Sequence, residues 1–186
     1  MKYAVGIDIG GTNTRVALIN ENYEIKKRIQ FLTDVDDPDK TMDKIVETIS
    51  SFKLDIVGVG MSCPGPLDLI KGKILTTPNL HGKWHDCEIS KKLEEKIHIP
   101  VYLENDANLA ALAESIIGEG KAYDYVQYLT VSTGLGAGLV INKKIFIGAH
   151  GFANEVANCC MKHKGPSHGM IYPGGIEAIS SWNRNH

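Results

Sequence analysis

Two glycine-rich segments carry the most distinctive chemistry in the chain. The first is Asp8-Ile9-Gly10-Gly11-Thr12-Asn13-Thr14, and the second is Ser132-Thr133-Gly134-Leu135-Gly136-Ala137-Gly138. Neither is a dinucleotide fingerprint or a P-loop: Gly6, Gly10 and Gly11 miss the required spacing, and no Gly-Lys-Ser/Thr follows. In those elements the loop runs into a helix. Here each runs into a strand-like segment, Arg15–Asn20 in one case and Leu139–Ile141 in the other. A glycine hairpin tip can still hold a phosphate, because backbone N–H groups without side chains in the way converge on an anion. Thr12, Thr14 and Thr133 would add hydroxyl donors, and Asp8 suits a water of hydrated Mg²⁺. Each loop alone is read equally well as a tight hairpin. The pair, one in each half of the chain, favours phosphate binding.

A third candidate is Glu104-Asn105-Asp106-Ala107-Asn108, which lies between a strand-like and a helix-like stretch. Asn and Asp are preferred residues at helix starts, so capping alone accounts for them. The functional alternative places Asp106 at the carboxyl end of a strand, where α/β proteins bind ligands. A carboxylate there can accept the proton of a substrate hydroxyl. An ordinary aspartate is a weak base at neutral pH, but phosphoryl transfer tolerates this, because the base mainly orients the nucleophile.

These residues need a scaffold, and the sequence supplies one. Tyr3–Ile9, Arg15–Asn20 and Tyr23–Phe31 read as a three-strand antiparallel meander with short turns. Pro38 opens a helix through about Phe52, and Leu54–Met61 is an apolar run that fits a strand buried on both faces. Ile89–Ile97 and Ala107–Ile117 read as helices around a short strand at Pro100–Leu103. Tyr125–Ser132, Leu139–Ile141 and Lys144–Ile147 read as strands, with Asn142-Lys143 as a hairpin turn. Glu177–Ser181 could begin a helix; most of the tail from Cys159 shows no clear periodicity. This order predicts two α/β domains, 1–118 and 119–186, joined near Gly118.

Composition narrows the function classes. The chain has 186 residues, of which 20 are Lys or Arg and 22 are Asp or Glu, giving a net charge of −2. That balance argues against a dedicated nucleic-acid binder. No apolar run approaches the roughly 18 residues of a membrane span, and the N-terminus enters a strand pattern at once rather than a signal peptide. Cys63, Cys87, Cys159 and Cys160 form no regular framework, which predicts reduced thiols and a cytoplasmic setting.

Five blocks, in order, resemble the ROK family of sugar kinases, which contains bacterial glucokinases and N-acetylmannosamine kinases. They are Asp8–Arg15, Cys63-Pro64-Gly65-Pro66-Leu67-Asp68, Thr77-Pro78-Asn79-Leu80, Leu103–Asn108 and Thr133–Gly138. The resemblance covers essentially the whole chain. It implies the actin-like ATPase (ribonuclease H-like) α/β fold, with two domains around a cleft and the second domain incomplete. It also implies ATP-dependent phosphorylation of a hexose or N-acetylhexosamine, with ATP and Mg²⁺ as cofactors, a small sugar as partner and a homodimer as candidate assembly. By the same resemblance Asp106 is the catalytic base, and Gly65, Asn79, Asn105, Asp106, Glu155, Asn158 and Glu177 form the sugar site. Asp8, Gly10, Gly11, Thr12, Asn13, Thr14, Thr133, Gly134 and Gly136 embrace the nucleotide phosphates and Mg²⁺.

The departures from the family pattern are informative. The family continues with Gly-Glu-x-Gly-His; here Glu155 is kept and Asn158 stands at the His position. In many members that His binds zinc with three cysteines, but an ungapped count puts His168, Met170 and Gly175 at the cysteine positions. No structural zinc is therefore expected, and no metal-ligating residues are assigned beyond the nucleotide's Mg²⁺. A substitute set of Cys159, Cys160, His163 and His168 has a spacing that fits no standard site. Tyr172-Pro173-Gly174 is the segment that could hold this loop instead, through turn rigidity and an aromatic anchor. Trp84, after the Thr77–Leu80 block, is compatible with stacking on a sugar and with ordinary packing.

Family members run well past Glu177, whereas here Trp182 is close to the end. The expectation is a fragment or a shortened product that binds ATP weakly. Two alternatives stand beside the kinase. One is a non-catalytic sugar-binding sensor; the repressors of the family carry a helix-turn-helix before the first strand, whereas here the first strand begins at Tyr3. The other is an inactive domain fragment with apolar surface exposed on Tyr125–Ser132 and Ile176–Trp182.

Overall fold

The computed structural model describes residues 1–77, 79–132, 134–167 and 171–180. It divides into two compact units, Met1–Asp106 and Ala107–His186.

The first unit is built on the expected meander of β1 (Tyr3–Ile9), β2 (Asn13–Asn20) and β3 (Ile25–Leu32). β2 starts earlier than the apolar pattern suggests because Asn13 and Thr14 already pair with Leu32 and Phe31. α1 (Pro38–Ser51) starts where proline and an acidic cap predict, with the Asp37 carboxylate accepting the Asp39 N–H at 3.1 Å. β4 (Ile56–Ser62) then runs parallel to β1. A short hairpin of β5 (Leu67–Asp68) and β6 (Lys73–Ile74) precedes α2 (Ile89–Ile97) and β7 (Val101–Glu104), which is parallel to β4. The five-stranded sheet has the order β3-β2-β1-β4-β7.

Val5, Ile7, Ile9, Val16, Leu18, Val59, Met61 and Leu103 pack into one core with Met42, Ile45 and Ile49 of α1 and Ile89 and Leu93 of α2. Both helices therefore cover the same face of the sheet. β4 is not buried on both faces. Between the pairs Tyr3–Ile56 and Val5–Val59 the register slips by one residue, a bulge that leaves Val57 exposed while Ile56 and Val59 turn inward.

The second unit holds α3 (Asp106–Ile116 by its helical bounds), β8 (Tyr125–Val131), β9 (Leu135–Ile141), β10 (Lys144–Ile145) and α4 (Ile176–Ser180). The sheet order is β10-β9-β8, all antiparallel. The boundary between the units falls at the head of α3 rather than near Gly118. A side chain at Gly138 of β9 would lie 2.5 Å from the Ala107 carbonyl oxygen and 2.9 Å from the Ala111 Cβ. α3 thus lies directly on the second sheet and belongs with it. β8 exposes Tyr125, Leu129 and Val131, the apolar surface anticipated for that strand.

The hairpin between β9 and β10 turns at Asn142-Lys143, as expected, with φ of 49° and 62°. Such positive values suit the mirror-image turns that match strand twist. Lys143 also reaches back, and its Nζ donates to the carbonyl oxygens of Ser115 (2.7 Å), Lys121 (2.9 Å), Tyr123 (3.0 Å) and Gly120 (3.3 Å). A cation there satisfies carbonyls at the end of α3 and the turn that follows. Lys143→Ala is expected to lower stability by about 1–2 kcal/mol, read as a lower urea midpoint. An unchanged midpoint would show that water serves those carbonyls equally well.

Candidate active site

In the first unit the parallel strands β1, β4 and β7 end side by side. Asp8 pairs in register with Ser62, and Ser62 with Glu104, so three polar residues form a row at the carboxyl ends of three strands. This is where open α/β sheets bind ligands. Asp8 Oδ2 accepts a 2.7 Å hydrogen bond from Arg15 Nη1, its partner across the hairpin, and Oδ1 accepts from Ser62 Oγ at 2.9 Å. The row leads into Asn105, whose N–H donates to Glu104 Oε1 at 2.8 Å, and Asp106, exposed at the first turn of α3.

Cys63 follows Ser62 and is fully buried. Burial pushes its thiol well above the ordinary cysteine range, and the charges of Cys87, Asp106 and Asp8 push it further. The thiol is thus held protonated, which removes it as a nucleophile. Asp8 and Asp106 thus both lie close enough to Cys63 for their charges to reach it.

The first glycine loop is braced from behind. Gly10 N–H donates to the Asn13 carbonyl at 2.9 Å, Thr33 N–H to the Thr12 carbonyl at 3.0 Å, and Thr33 Oγ1 to the Gly10 carbonyl at 2.8 Å. Thr14 is fully buried, with its hydroxyl 2.9 Å from that of Thr33. Its side chain supports the loop rather than facing a ligand, leaving the Gly11–Asn13 tip as the open part. Gly11 is held against Asn79: a Cβ at Gly11 would sit 2.5 Å from the Asn79 Cβ. Asn79 is carried on a turn closed by the Thr77–Leu80 bridge and by the Leu80 N–H bond to Thr77 Oγ1 at 2.9 Å. Gly65 stands on the segment between β4 and β5. So the tip of loop one and the candidate sugar ligand Asn79 touch. The Asp8 carboxylate beside them is about half exposed, 48% by its side chain.

In the second unit the glycine loop enters β9 directly, as a strand-feeding loop should. Ser132 N–H donates to the Gly134 carbonyl at 2.9 Å, and Leu135 N–H donates to Glu177 Oε2 at 2.7 Å. A Cβ at Gly134 would lie 2.8 Å from that carboxylate oxygen, so a glycine admits it. Gly136 lies against Thr130, whose Cγ2 would be 2.9 Å from a Cβ there. Thr133 lies outside the described residues.

The described residues between Ala157 and Glu177, which show no sequence periodicity, form a backbone ladder. Glu177 N–H donates to the Ala157 carbonyl (3.1 Å), Ile176 N–H to Cys159 (3.0 Å) and Met161 N–H to Gly174 (2.8 Å), with a Cys160–Gly175 bridge between. Asn158 Oδ1 accepts the Tyr172 N–H at 3.0 Å. Gly174, at φ 80°, fits under the Lys162 carbonyl with no room for a side chain. The rigid turn is therefore real, but the Tyr172 ring is exposed and is no anchor. Cys159 and Cys160 are exposed free thiols, and no group of three or more His, Cys, Asp or Glu among the described residues is placed to hold a metal. His168 and Met170 lie outside the described residues.

Sequence reasoning named the loops, Asp8, Asn79 and Asp106 as candidates but missed Arg15 and Ser62 as the partners of Asp8, and Thr33 as the brace. Counting pairs outward from the Gly10–Asn13 turn would have placed Arg15 opposite Asp8.

A scan of family models matches the ROK family over residues 4–181. The xylose repressor of Bacillus subtilis is 31% identical over 88% of this chain and 44% of its own length. The glucokinase of Thermotoga maritima is 31% identical over 95% of this chain and 56% of its own. The ROK hexokinase of Thermus thermophilus superposes with a TM-score of 0.87 at 31% identity, over 96% of this chain and 60% of that one. A ROK glucokinase of Streptomyces griseus, in complex with glucose and AMPPNP, gives 0.80 at 30% identity over 96% and 57%. The chain spans about half the length of the curated relatives it matches. With these likenesses the fold is that of the actin-like ATPases, and the chain belongs to the ROK family.

Proposed function

We propose that this chain carries the sugar-phosphorylating machinery of an ATP-dependent kinase acting on a hexose or N-acetylhexosamine. The observation that carries the proposal is the row Asp8–Ser62–Glu104 leading to Asp106, with the Gly11 tip seated on Asn79. Asp106 orients the sugar hydroxyl and takes its proton. Gly65, Asn79 and Asn105 are sugar ligands in this reading, as are Glu155, Asn158 and Glu177. Gly10–Thr14 and Thr133–Gly136 hold the nucleotide phosphates through backbone donors, and Asp8 holds a water of the metal. Bound ATP supplies the phosphoryl group, with Mg²⁺ neutralising its charge. The glucose and AMPPNP of the Streptomyces griseus glucokinase support both ligand classes. A cytoplasmic, dimeric enzyme is part of the same proposal. No helix among the described residues is long and apolar enough to cross a membrane.

The match to a repressor supports a second reading, a sugar sensor without turnover. Calorimetry with glucose, N-acetylmannosamine and Mg–AMPPNP separates the two. The kinase predicts heat from one of the sugars and from the nucleotide. Sugar heat with none from nucleotide selects the sensor, and no heat from any ligand overturns both.

A further inference from the structure

Two cysteines stand side by side in the ladder. Cys159 and Cys160 are both free and exposed, whereas Cys63 and Cys87 are closed to reagents by burial. The ladder holds the exposed pair extended. The Cys159 carbonyl accepts the Ile176 N–H at 3.0 Å, Cys160 bridges Gly175, and the Met161 N–H donates to the Gly174 carbonyl at 2.8 Å. The Cys160 Sγ lies 3.9 Å from the Pro173 carbonyl oxygen, a loose contact that leaves the thiol available. The turn that follows carries Lys162, His163 and Lys164, all exposed. No Asp or Glu occurs between Glu155 and Glu177, so no acid nearby along the chain offsets those cations.

We propose that Cys159 and Cys160 form a thiol–disulfide exchange site for a small anionic disulfide, and that they close on each other into a ring disulfide. The thiolate of one cysteine attacks a sulfur of the reagent RSSR, which forms a mixed disulfide and releases RS⁻. The thiolate of the second cysteine attacks the protein sulfur of that mixed disulfide, which forms the Cys159–Cys160 bond and releases the second RS⁻. The protein gives up two electrons and two protons, and RSSR becomes two RSH. Lys162 and Lys164 draw the anionic reagent to the pair. The ring cannot close in the conformation that the ladder imposes. Successive side chains of an extended segment point to opposite sides. Adjacent Cα atoms are about 3.8 Å apart across a trans peptide, closer than the ~4.4–6.8 Å of ordinary disulfides. The Cys159–Cys160 peptide must therefore turn, which gives up the Ile176 bond to Cys159 and the Cys160–Gly175 bridge. Oxidation thus frees the backbone that leads into α4. A strained, exposed disulfide is also readily reduced again, so the step reverses when thiol is restored.

The test exposes the whole chain to oxidised glutathione, followed by intact mass and peptide mapping. The expected product is lighter by two hydrogens, with the new bond mapped to Cys159–Cys160, and excess reduced thiol restores the original mass. A chain that stops at glutathionyl adducts overturns ring closure. A chain that stays reduced, or that goes mainly to a disulfide-linked dimer, overturns the site. Cys159→Ser and Cys160→Ser are each expected to stop at a single adduct, and a ring-mass product in either overturns the assignment. The double variant Lys162→Gln, Lys164→Gln is expected to react about threefold or more slowly at low salt, with the difference lost at high salt. An equal rate at low salt overturns the role of the cations. Amide exchange reads the ladder: the Ile176 and Met161 N–H groups should exchange at least about tenfold faster in the oxidised chain. Unchanged protection there overturns the opening of the ladder.

Discussion

Asp106→Asn is expected to reduce phosphoryl transfer by about a thousandfold, within the range that positioned acid–base groups supply, while sugar affinity changes little. The substitution is nearly isosteric and opposes the two roles that Asp106 can have. If Asp106 only starts α3, asparagine does the same work, since Asn is as good as Asp at helix starts. The loss is then confined to a charge in the first turn, about 0.3–1 kcal/mol of helix stability. If Asp106 accepts the hydroxyl proton, the amide has no site for it, and turnover collapses while the fold stays intact. Activity and urea midpoint measured on the same variant therefore give opposite patterns. Near-normal turnover would return Asp106 to a purely structural role and remove the centre of the proposed mechanism. Geometry sharpens the expectation. Asp106 stands exposed just beyond Glu104, on the strand whose register links it through Ser62 to Asp8, so its side chain has access to a ligand at the sheet end.

Much of this was legible in the sequence because it follows from local rules. Alternation in Tyr3–Ile9 and the short Gly10–Asn13 connection dictate an antiparallel pair, and Asp37-Pro38 dictates a helix start. What stayed hidden depends on long-range pairing. The bulge at Val57 arises from how β4 registers on β1, and no composition signal marks it. The ladder of Ala157–Glu177 is made of backbone hydrogen bonds around a glycine at positive φ, so its side chains need not alternate and no periodicity appears. The division of the units at the head of α3 is hidden for a related reason. Gly118 looks like a helix end, and is one, but α3 lies with the sheet that follows it because Gly138 lets the Ala107–Ala111 turn approach closely. Among the site residues, loop and acid positions are marked by type and spacing. Arg15, Ser62 and the Glu177–Leu135 bond are marked only by register and by the path of the chain.

Trp84→Ala is expected to lower stability by about 3–5 kcal/mol, the usual cost of emptying a large aromatic site. This would use up a large share of the ~5–15 kcal/mol that holds a domain folded. Trp84 is fully buried, and its Nε1–H donates to the Asp34 carbonyl at 2.8 Å. A ring in that position packs the core and offers no face to a sugar. It also pins two segments together. His81 N–H donates to the Val35 carbonyl at 2.7 Å, Lys83 N–H to the Asp36 carbonyl at 3.1 Å, and Lys83 Nζ lies 3.0 Å from Asp37 Oδ2. Gly82, at φ 53°, lets the Asp36 carbonyl come within 2.7 Å of where a side chain would begin. The Thr77–Leu80 turn that carries Asn79 runs directly into this pinned segment. Loss of the ring should therefore loosen the seat of Asn79 on Gly11 and weaken sugar binding along with the fold. Trp84→Phe separates the parts: most of the ring volume stays, the Asp34 carbonyl loses its donor, and the cost drops to about 1–3 kcal/mol. Sugar affinity in that variant should stay close to wild type, because the turn is still packed from below. A Trp84→Phe protein with an unchanged midpoint but a large loss of sugar affinity would show that the indole meets the sugar itself, and the burial argument would fail with it.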